Sequence, residues 1–286
     1  MRTNQHGFTL VELVITIVLT TIVVSFMSMF ISGPVRAYTD QGRRAELVDV
    51  AENSLRRIAR DIRRALPNSV RVTASGSVVA LELLSTVDGV RYRDRPPPGN
   101  PAKRLSFTAP DDAFNSVGTF SGIVRPFSST THYLSIYNVG VPGADAYELA
   151  NVITPPGTRI DIDADSAPGE DNVRVTPAFQ FAFASPGQRV YLIDHAISYL
   201  CDTAAGTLMR YSGYAIAADQ TDRDSNGELL GAGADATIIA DQVSTCSIAY
   251  APGTSQRAGL VTLELDVSDA GETVSLLHQV HVDNVP

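Results

Sequence analysis

The chain has 286 residues, of which 44% are hydrophobic, and it carries 22 Lys and Arg against 31 Asp and Glu, a formal net charge of −9. The length suffices for one large domain with its own core, and the acidic balance disfavours a nucleic-acid-binding protein, which needs a basic surface. The charge is uneven: residues 36–64 hold eight Arg against five acids, whereas residues 67–286 hold 13 basic against 25 acidic side chains.

An apolar segment near the N-terminus comes first in chain order. From Leu13 to Val35 there are 23 consecutive residues without an ionisable side chain. At about 1.5 Å per residue, a helix of this length spans the roughly 30 Å hydrocarbon core of a bilayer. A secretory signal peptide would have a shorter apolar stretch and a small-x-small cleavage site, and this segment has neither. The segment therefore predicts a single membrane-spanning helix.

Glu12 is the one charged residue at the start of this segment. A carboxylate at the centre of a bilayer is costly, but Glu12 lies only about one turn into the predicted helix, from where it can reach the interface. On these grounds alone, chance placement and a functional role explain Glu12 equally well.

The residues around Glu12 favour a function. Gly7-Phe-Thr-Leu-Val-Glu12, after the short leader Met1–His6, resembles the cleavage and methylation site of type IV prepilins and type II secretion pseudopilins. The resemblance implies that a prepilin peptidase cleaves between Gly7 and Phe8, removes a cytoplasmic leader and methylates Phe8. It also implies that Glu12 neutralises the N-terminal amine of a neighbouring subunit during assembly.

An amphipathic pattern follows the apolar segment. Apolar residues recur at steps of three and four from Val48 to Ala65, which predicts a helix with one face on a core, and Pro67 is expected to end it. Gly33-Pro34 is expected either to kink the helix or to mark a boundary between two helices. The predicted organisation is a leader (1–7), a transmembrane and assembly helix (8–35), an amphipathic periplasmic helix (36–66) and a β-rich periplasmic head (67–286).

Short runs of strand-forming residues begin at Ser69. Asp88-Gly89 between two of these runs predicts a hairpin. A long N-terminal helix followed by a mostly antiparallel sheet is an α+β fold with the pilin architecture. Long loops rich in Pro, Gly, Ser and Asp are predicted at 94–101, 109–130, 140–171 and 218–236. Strands are predicted at 69–73, 77–84, 89–93, 103–108, 132–139, 172–176, 189–200, 207–216, 243–250, 258–267 and 273–283.

Cys201 and Cys246 are the two cysteines of the chain. A segment beyond the inner membrane meets an oxidising compartment, so the expected state is a disulfide between them. Neither a C-x-x-C pair nor clustered histidines accompany them, and a metal or redox role is therefore disfavoured.

Two acidic segments, 161–165 and 222–227, resemble the first half of a calcium-binding loop, with oxygen-bearing side chains at alternate positions. Their twelfth positions are Asn172 and Gly233, where a bidentate Glu would be expected. A solvated acidic turn is the preferred interpretation of both segments. The weak alternative is calcium bound by Asp222, Asp224 and Asn226.

The histidines predict no catalytic or metal site. His278 and His281 are three residues apart in a predicted strand and therefore face opposite sides of it, and His132 and His195 are isolated in the sequence. No nucleophile, phosphate-loop or zinc-protease motif is present. The prediction is a non-enzymatic protein without a cofactor.

A second resemblance covers the distal part, and residues 85–185 between the two are not assigned. It implies a minor pilin, anchored in the inner membrane with a periplasmic head, that primes assembly at or near the fibre tip. The implied partners are other minor pilins, the major pilin and an inner-membrane assembly platform, with no nucleic acid. The alternatives are a J-type minor pseudopilin of a type II secretion system and an adhesin-like tip pilin. The residues that resemble larger minor pilins, most closely the MshO type of the mannose-sensitive haemagglutinin (MSHA) pilus, are Tyr199-Leu-Cys201, Gly206–Tyr211, Gly259–Leu265 and Gln279–Pro286.

Overall fold

The structure is a computed structural model that describes residues 7, 9–96, 100, 103–253, 258–282 and 284. The chain divides into two compact units, residues 1–49 and residues 50–286. One helix, α1 (Leu10–Arg63), contributes residues to both units. The apolar side chains of its first part are exposed.

The second unit contains the rest of α1, thirteen strands, one short helix and two 3-10 turns within the described residues. The short helix is α2 (Asn226–Gly231), and the 3-10 turns are Ala146–Glu148 and Gln220–Arg223. The strands are β1 (Arg71–Ser75), β2 (Val78–Tyr92), β3 (Asp111–Val117), β4 (Phe127–Ser129), β5 (Tyr133–Ser135), β6 (Arg159–Ala164), β7 (Asp171–Phe179), β8 (Arg189–Asp202), β9 (Thr207–Tyr214), β10 (Asp235–Ala240), β11 (Val243–Ala251), β12 (Gly259–Asp269) and β13 (Glu272–Val282).

These strands form two antiparallel sheets. The larger has ten strands, eight of them in the order β10-β9-β8-β2-β3-β7-β6-β4, while β1 pairs with β2 and β5 pairs with β8. The smaller is the meander β11-β12-β13. One long N-terminal helix followed by a mostly antiparallel β-sheet head confirms the predicted α+β fold.

The part of α1 in the second unit packs through the predicted apolar face. Ala51, Leu55, Ile58 and Ile62 are each at most 4% exposed, because the steps of three and four place them on one side of the helix. The cavity beside Leu55 and Ile58 is also lined by residues of β9, β11 and β12, so this face contacts both sheets.

Asp61 fixes the same stretch of α1 to the large sheet. Its Oδ2 accepts hydrogen bonds from the hydroxyl of Tyr199 at 2.8 Å and from Nε of Arg210 at 2.9 Å. Burial, with the nearby charge of Asp61, raises the pKa of the Tyr199 hydroxyl. The hydroxyl therefore stays protonated and remains a donor to the carboxylate.

The helix differs from the prediction at two points. It continues through Pro34, so the boundary considered at Gly33-Pro34 is wrong. It ends at Arg63 and not at the residue before Pro67. The reason is sheet pairing: the Leu66 N–H donates to the Leu84 carbonyl at 2.8 Å and the Arg64 carbonyl accepts from Thr86, which draws the chain onto β2.

The hairpin predicted at Asp88-Gly89 is wrong. β2 is a single strand of 15 residues that runs through both positions, and these pair with Leu192 and Tyr191 of β8. Gly89 does not form a turn but allows the backbone to lie close to the Tyr191 ring. A Cβ added there would lie 2.7 Å from Cδ1 of that ring. Asp88 accepts from the Gly89 N–H at 2.7 Å, which is the local polar bond that resembles turn chemistry.

Other segments were also assigned incorrectly from the sequence. Residues 103–108 do not form a strand, and the Ser106 N–H instead donates to Oδ2 of Asp111 at 2.7 Å. Only residues 133–135 of the predicted strand 132–139 pair. The predicted loops contain β3 and β4 (in 109–130), β6 (in 140–171) and α2 (in 218–236). β3 was missed because its buried positions include Asn115 and Ser116, which break the apolar alternation.

Besides the buried face of α1, the core of the second unit includes two clusters of buried apolar side chains. One contains Leu84 and Tyr147, with residues of β8 and β9. The other contains Phe114, Phe120 and Phe181, with residues of β6, β7 and β8. β8 contributes to both clusters, in agreement with the burial of nine of its 14 residues.

Candidate processing and assembly segment

The first turn of α1 is capped by a side chain of the predicted motif. Thr9 precedes the helix, and its Oγ1 accepts from the Glu12 N–H at 3.3 Å, while the Leu13 N–H donates to the Thr9 carbonyl at 3.1 Å. Thr-x-x-Glu is the sequence of a capping box, in which the hydroxyl satisfies an unpaired N–H of the first turn. The motif therefore specifies where the helix begins, a role of Thr9 that the sequence analysis missed although the pattern was visible.

Glu12 lies in the first turn of α1 and is exposed, as is Gly7. The N-terminal end of a helix carries a partial positive charge, which favours a carboxylate at this position. Phe8 lies outside the described residues, so the predicted cleavage site between Gly7 and Phe8 stays a prediction. The same holds for the role of Glu12 in assembly.

The apolar side chains that follow Glu12 have no partner within the first unit. Phe26 and Phe30 are 61% and 78% exposed. By length and composition, α1 is the one helix of the described residues that could cross a membrane, and none of its most apolar window is buried. An exposed apolar surface of this extent indicates a lipid or protein environment.

Hydroxyl groups of the same helix are bonded within it. Thr21 donates to the Ile17 carbonyl at 2.7 Å, and Ser25 donates to the Thr21 carbonyl at 2.7 Å. Thr16 and Thr20 bond to backbone carbonyls in the same way. These hydroxyls satisfy their donors inside the helix, which lowers the cost of placing them in hydrocarbon.

Comparison with protein families agrees with this geometry. A family model described as the prokaryotic N-terminal methylation motif matches residues 2–28. The N-terminal segment therefore carries a prepilin-type methylation motif. The motif is common to pilins and pseudopilins, implies processing by a prepilin peptidase, and suggests a structural, non-enzymatic protein. Comparison with curated proteins and with solved structures gave no match, so the narrower likeness to the MshO type has no support.

The two cysteines of the chain are joined. Cys201 of β8 and Cys246 of β11 form a disulfide with a Cα–Cα distance of 6.5 Å. β8 belongs to the ten-stranded sheet and β11 to the three-stranded sheet, so the bond links the two sheets covalently.

The acidic segment 161–165 does not present free carboxylates. Each of its three Asp side chains contacts a basic side chain, and Lys103 lowers the pKa of Asp165 with help from the backbone N–H of Ala167. Positive partners neutralise the charge that a cation would need. Among the described residues, no three His, Cys, Asp or Glu side chains are grouped as a metal site requires. The pairs are Asp161–Arg159, Asp163–Arg174 and Asp165–Lys103.

The second acidic segment has a local structural role. Ser225 caps α2 and forms a complete capping box with Glu228. Oδ1 of Asn226 accepts from the Tyr211 hydroxyl at 2.7 Å, which ties the segment to β9. Burial, together with the charge of Glu228, raises the pKa of Asp224. The bond from Tyr211 accounts for the oxygen of Asn226, and calcium binding by this segment stays a prediction.

The structure brings together two histidines that were expected to be isolated. Nδ1 of His195 lies 2.7 Å from Oδ2 of Asp194, and Nε2 of His132 lies 3.5 Å from Oδ1 of the same carboxylate. On its other side, Nδ1 of His132 lies 2.7 Å from Oγ of Ser129. The expectation of isolation is wrong because β5 pairs with β8, which places the turn before β5 beside Asp194.

This group of side chains has the geometry of a structural link. Ser129 Oγ accepts from the backbone N–H groups of Thr131 at 3.1 Å and His132 at 3.3 Å, so it caps a turn. Burial lowers the pKa of His132, although the carboxylate of Asp194 opposes this, and the hydrogen bond from His195 lowers the pKa of Asp194. A cavity of about 410 Å³ lies alongside Asp194 and His195.

Glu82 is fully buried and is held by a polar network. Its Oε2 accepts from Nε of Arg71 at 2.7 Å and its Oε1 from the hydroxyl of Tyr214 at 2.8 Å. Arg71 also donates to two backbone carbonyls and lies 3.5 Å from the centroid of the Tyr147 ring. Burial raises the pKa of Glu82, although Arg71 and Tyr214 oppose it. Because each oxygen is bonded, the network stabilises the contact between β1, β2 and β9.

Proposed function

We propose that this protein is a minor pilin of a type IV pilus that acts in priming and assembly at or near the fibre tip. The observation that carries the proposal is the methylation motif at the start of an exposed apolar helix, with Glu12 in its capped first turn. In this proposal a prepilin peptidase cleaves after Gly7, the head lies in the periplasm, and the helix then leaves the inner membrane for the fibre.

In the proposal, the helix occupies two environments in succession. Before assembly, lipid covers its exposed apolar side chains. During assembly, the helices of other minor pilins and of the major pilin replace the lipid, on an inner-membrane assembly platform. The carboxylate of Glu12 then meets the N-terminal amine of a neighbouring subunit, in a medium where an unpaired charge is costly.

The size of the β-rich part supports a place near the tip. A bulk subunit packs against several identical neighbours through a heterologous interface, which favours a small head. The second unit has 237 residues, with long segments between β2 and β8 that would meet such neighbours. A terminal or near-terminal position leaves space for them. An MSHA-type pilus is the narrower form of this proposal, and it rests only on the distal resemblance.

A pseudopilin of a type II secretion system is the second candidate, because the same motif occurs in both classes. A deletion strain separates the two. We expect the deletion strain to lose its surface pili and to secrete normally. The wild-type gene should restore the pili. Normal piliation with lost secretion would contradict the pilus and favour the pseudopilin.

The role of Glu12 is tested by Glu12→Gln. Glutamine also fits a capping box, so this variant keeps the helix start and removes only the charge. We expect normal processing and membrane insertion, and a loss of about tenfold or more in incorporation into fibres, measured by quantitative mass spectrometry of sheared fibres. A loss of that size corresponds to about 1.4 kcal/mol.

Thr9→Ala is the matched control for Glu12→Gln. It removes the hydroxyl that caps the helix and keeps the carboxylate, so incorporation should stay near the wild-type level. If Glu12→Gln is incorporated as well as the wild type, Glu12 has no assembly role. If Thr9→Ala fails as strongly as Glu12→Gln, assembly requires the capped helix start as well as the charge of Glu12.

A further inference from the structure

A groove of about 420 Å³ lies within the second unit, between α1 and β10. One wall is formed by Arg56, Arg57 and Arg60 of α1, and the other by Ile238 and Ile239 of β10. Charged groups on one side and apolar groups on the other suit an extended segment that carries both carboxylates and apolar side chains.

The arginines of this groove are mostly unneutralised. Arg56 pairs with Glu52 four residues earlier on the same helix. In the part of the chain that the structure describes, Arg57 and Arg60 have no carboxylate partner. The groove is thus a local positive site on a chain whose formal net charge is −9.

The opposite wall of the groove is held in place and incomplete. Among the strands that the structure describes, β10 lies at an edge of the ten-stranded sheet and has a neighbouring strand, β9, on one side only. The hydroxyl of Ser54 donates to the Ile239 carbonyl at 3.2 Å, which fixes β10 against α1. Ile238 next to it is 56% exposed, so this edge strand presents an apolar side chain beside the arginines.

We infer that this groove binds an acidic segment of a neighbouring pilin-class subunit, with its carboxylates on Arg57 and Arg60 and an apolar side chain on Ile238. The inference rests on the proposed function and names a contact outside the N-terminal helix. Charge complementarity supports it: subunits with acidic heads repel one another, and a basic groove gives one orientation in which they attract.

The experiment uses the full-length protein in cells with their own assembly system. A photoreactive p-benzoylphenylalanine replaces Ile238, and adducts are identified by mass spectrometry. We expect an adduct with another subunit that carries a prepilin-type N-terminus, at a peptide that contains Asp or Glu. Adducts confined to lipid, to nucleic acid or to proteins of other classes would overturn the inference.

Arg60→Glu and Arg63→Glu form a matched pair. Both side chains are exposed and lie three residues apart on α1, but only Arg60 lines the groove. We expect Arg60→Glu to lower the adduct yield about tenfold and Arg63→Glu to leave it nearly unchanged, the size expected for one close charge pair. Equal effects of the two reversals would overturn the inference.

A charge swap completes the test. Replacing the acidic residue of the mapped peptide by Arg should restore the adduct with Arg60→Glu, and no restoration would contradict a direct pair. Processing after Gly7 and incorporation into fibres are measured in parallel. If the wild type is processed and incorporated but Arg60→Glu keeps its adduct, the groove is wrong and the pilin function stands; an unprocessed wild type refutes the function itself.

Discussion

Asp194 shows how a single side chain links neighbouring segments of the second unit. It accepts from His195 of its own strand and lies beside His132 of the turn before β5. The positive charge of Arg64 also helps to lower the pKa of this carboxylate. Burial disfavours a positive charge at His132, and the pKa of that imidazole is therefore lowered.

The lowered pKa of His132 predicts a loss of stability in mild acid. A group whose pKa is lower in the folded state binds protons more readily when unfolded, so stability is present above its ordinary pKa of about 6.5 and falls as the pH decreases below it. The slope for one proton is at most about 1.4 kcal/mol per pH unit. The lowered pKa of Asp194 adds a second loss at more acidic pH.

The measurement is thermal unfolding of the detergent-solubilised protein between pH 7.5 and about 5, for the wild type and His132→Asn. The variant should lose less stability than the wild type over this range. His281→Asn, at an exposed position of β13, is the control and should follow the wild type. Parallel curves for the wild type and His132→Asn would show that His132 does not titrate with folding.

At the residue scale, the sequence predicted local features and missed distant ones. Glu12 and the two cysteines were identified because motif and compartment point to them directly. The contact of His132 with Asp194 could not be predicted, because 62 positions separate them and only the β5–β8 pairing brings them together. The capping role of Thr9 could have been predicted, because Thr9 and its partner Glu12 are three residues apart in the sequence.

Among the secondary-structure elements, α1 was the most predictable. Its apolar run and its steps of three and four each satisfy a single physical constraint, either burial in lipid or contact with one core. Its end was predicted too late because the backbone of residues 64–66 pairs with β2. A prediction from local sequence cannot detect a hydrogen-bonding strand that lies about 20 residues further along the chain.

The strands were predictable where one face is buried and the other is exposed. β12 and β13 alternate in this way and were predicted to within about two residues. β2 was divided incorrectly because Asp88-Gly89 is a turn sequence in most contexts, whereas here the packing of Gly89 on Tyr191 decides. β3 owes its buried polar residues to bonds with residues 170–172 of the neighbouring segment, a tertiary cause.

The disulfide is the covalent link between the two sheets, and its removal gives a prediction for this pair of elements. Cys201 and Cys246 are 45 positions apart. In the chain-entropy account, a loop of this size stabilises the folded state by about 4 kcal/mol. Cys201→Ala with Cys246→Ala should lower the free energy of unfolding by about this amount and make β11–β13 sensitive to protease.

Reduction of the wild type is the matched control, because it opens the bond without changing any side-chain volume in the core. Urea unfolding with and without reductant should show most of the loss seen for the double variant. If reductant leaves the unfolding midpoint unchanged, or if both thiols are alkylated without reductant, the disulfide does not stabilise this protein.

For the whole molecule, the division into an apolar helix and an acidic β-rich part was predictable from composition alone. The pairing of the ten-stranded sheet was not, because β8 pairs with β2 across 98 to 124 positions of chain and with β5 across 56 to 60. The large segment between β2 and β8, which resembles no assigned family, completes the sheet and the second core cluster. The segment is therefore part of the folded core of the second unit.

The central claim is that the N-terminal segment is processed as a prepilin. Intact-mass measurement and N-terminal sequencing of the membrane-extracted protein, from cells with an active prepilin peptidase, test it most directly. We expect a chain that begins with a methylated Phe8, and one that keeps Met1 when the peptidase is deleted. A chain that still begins at Met1 in the presence of active peptidase would contradict it.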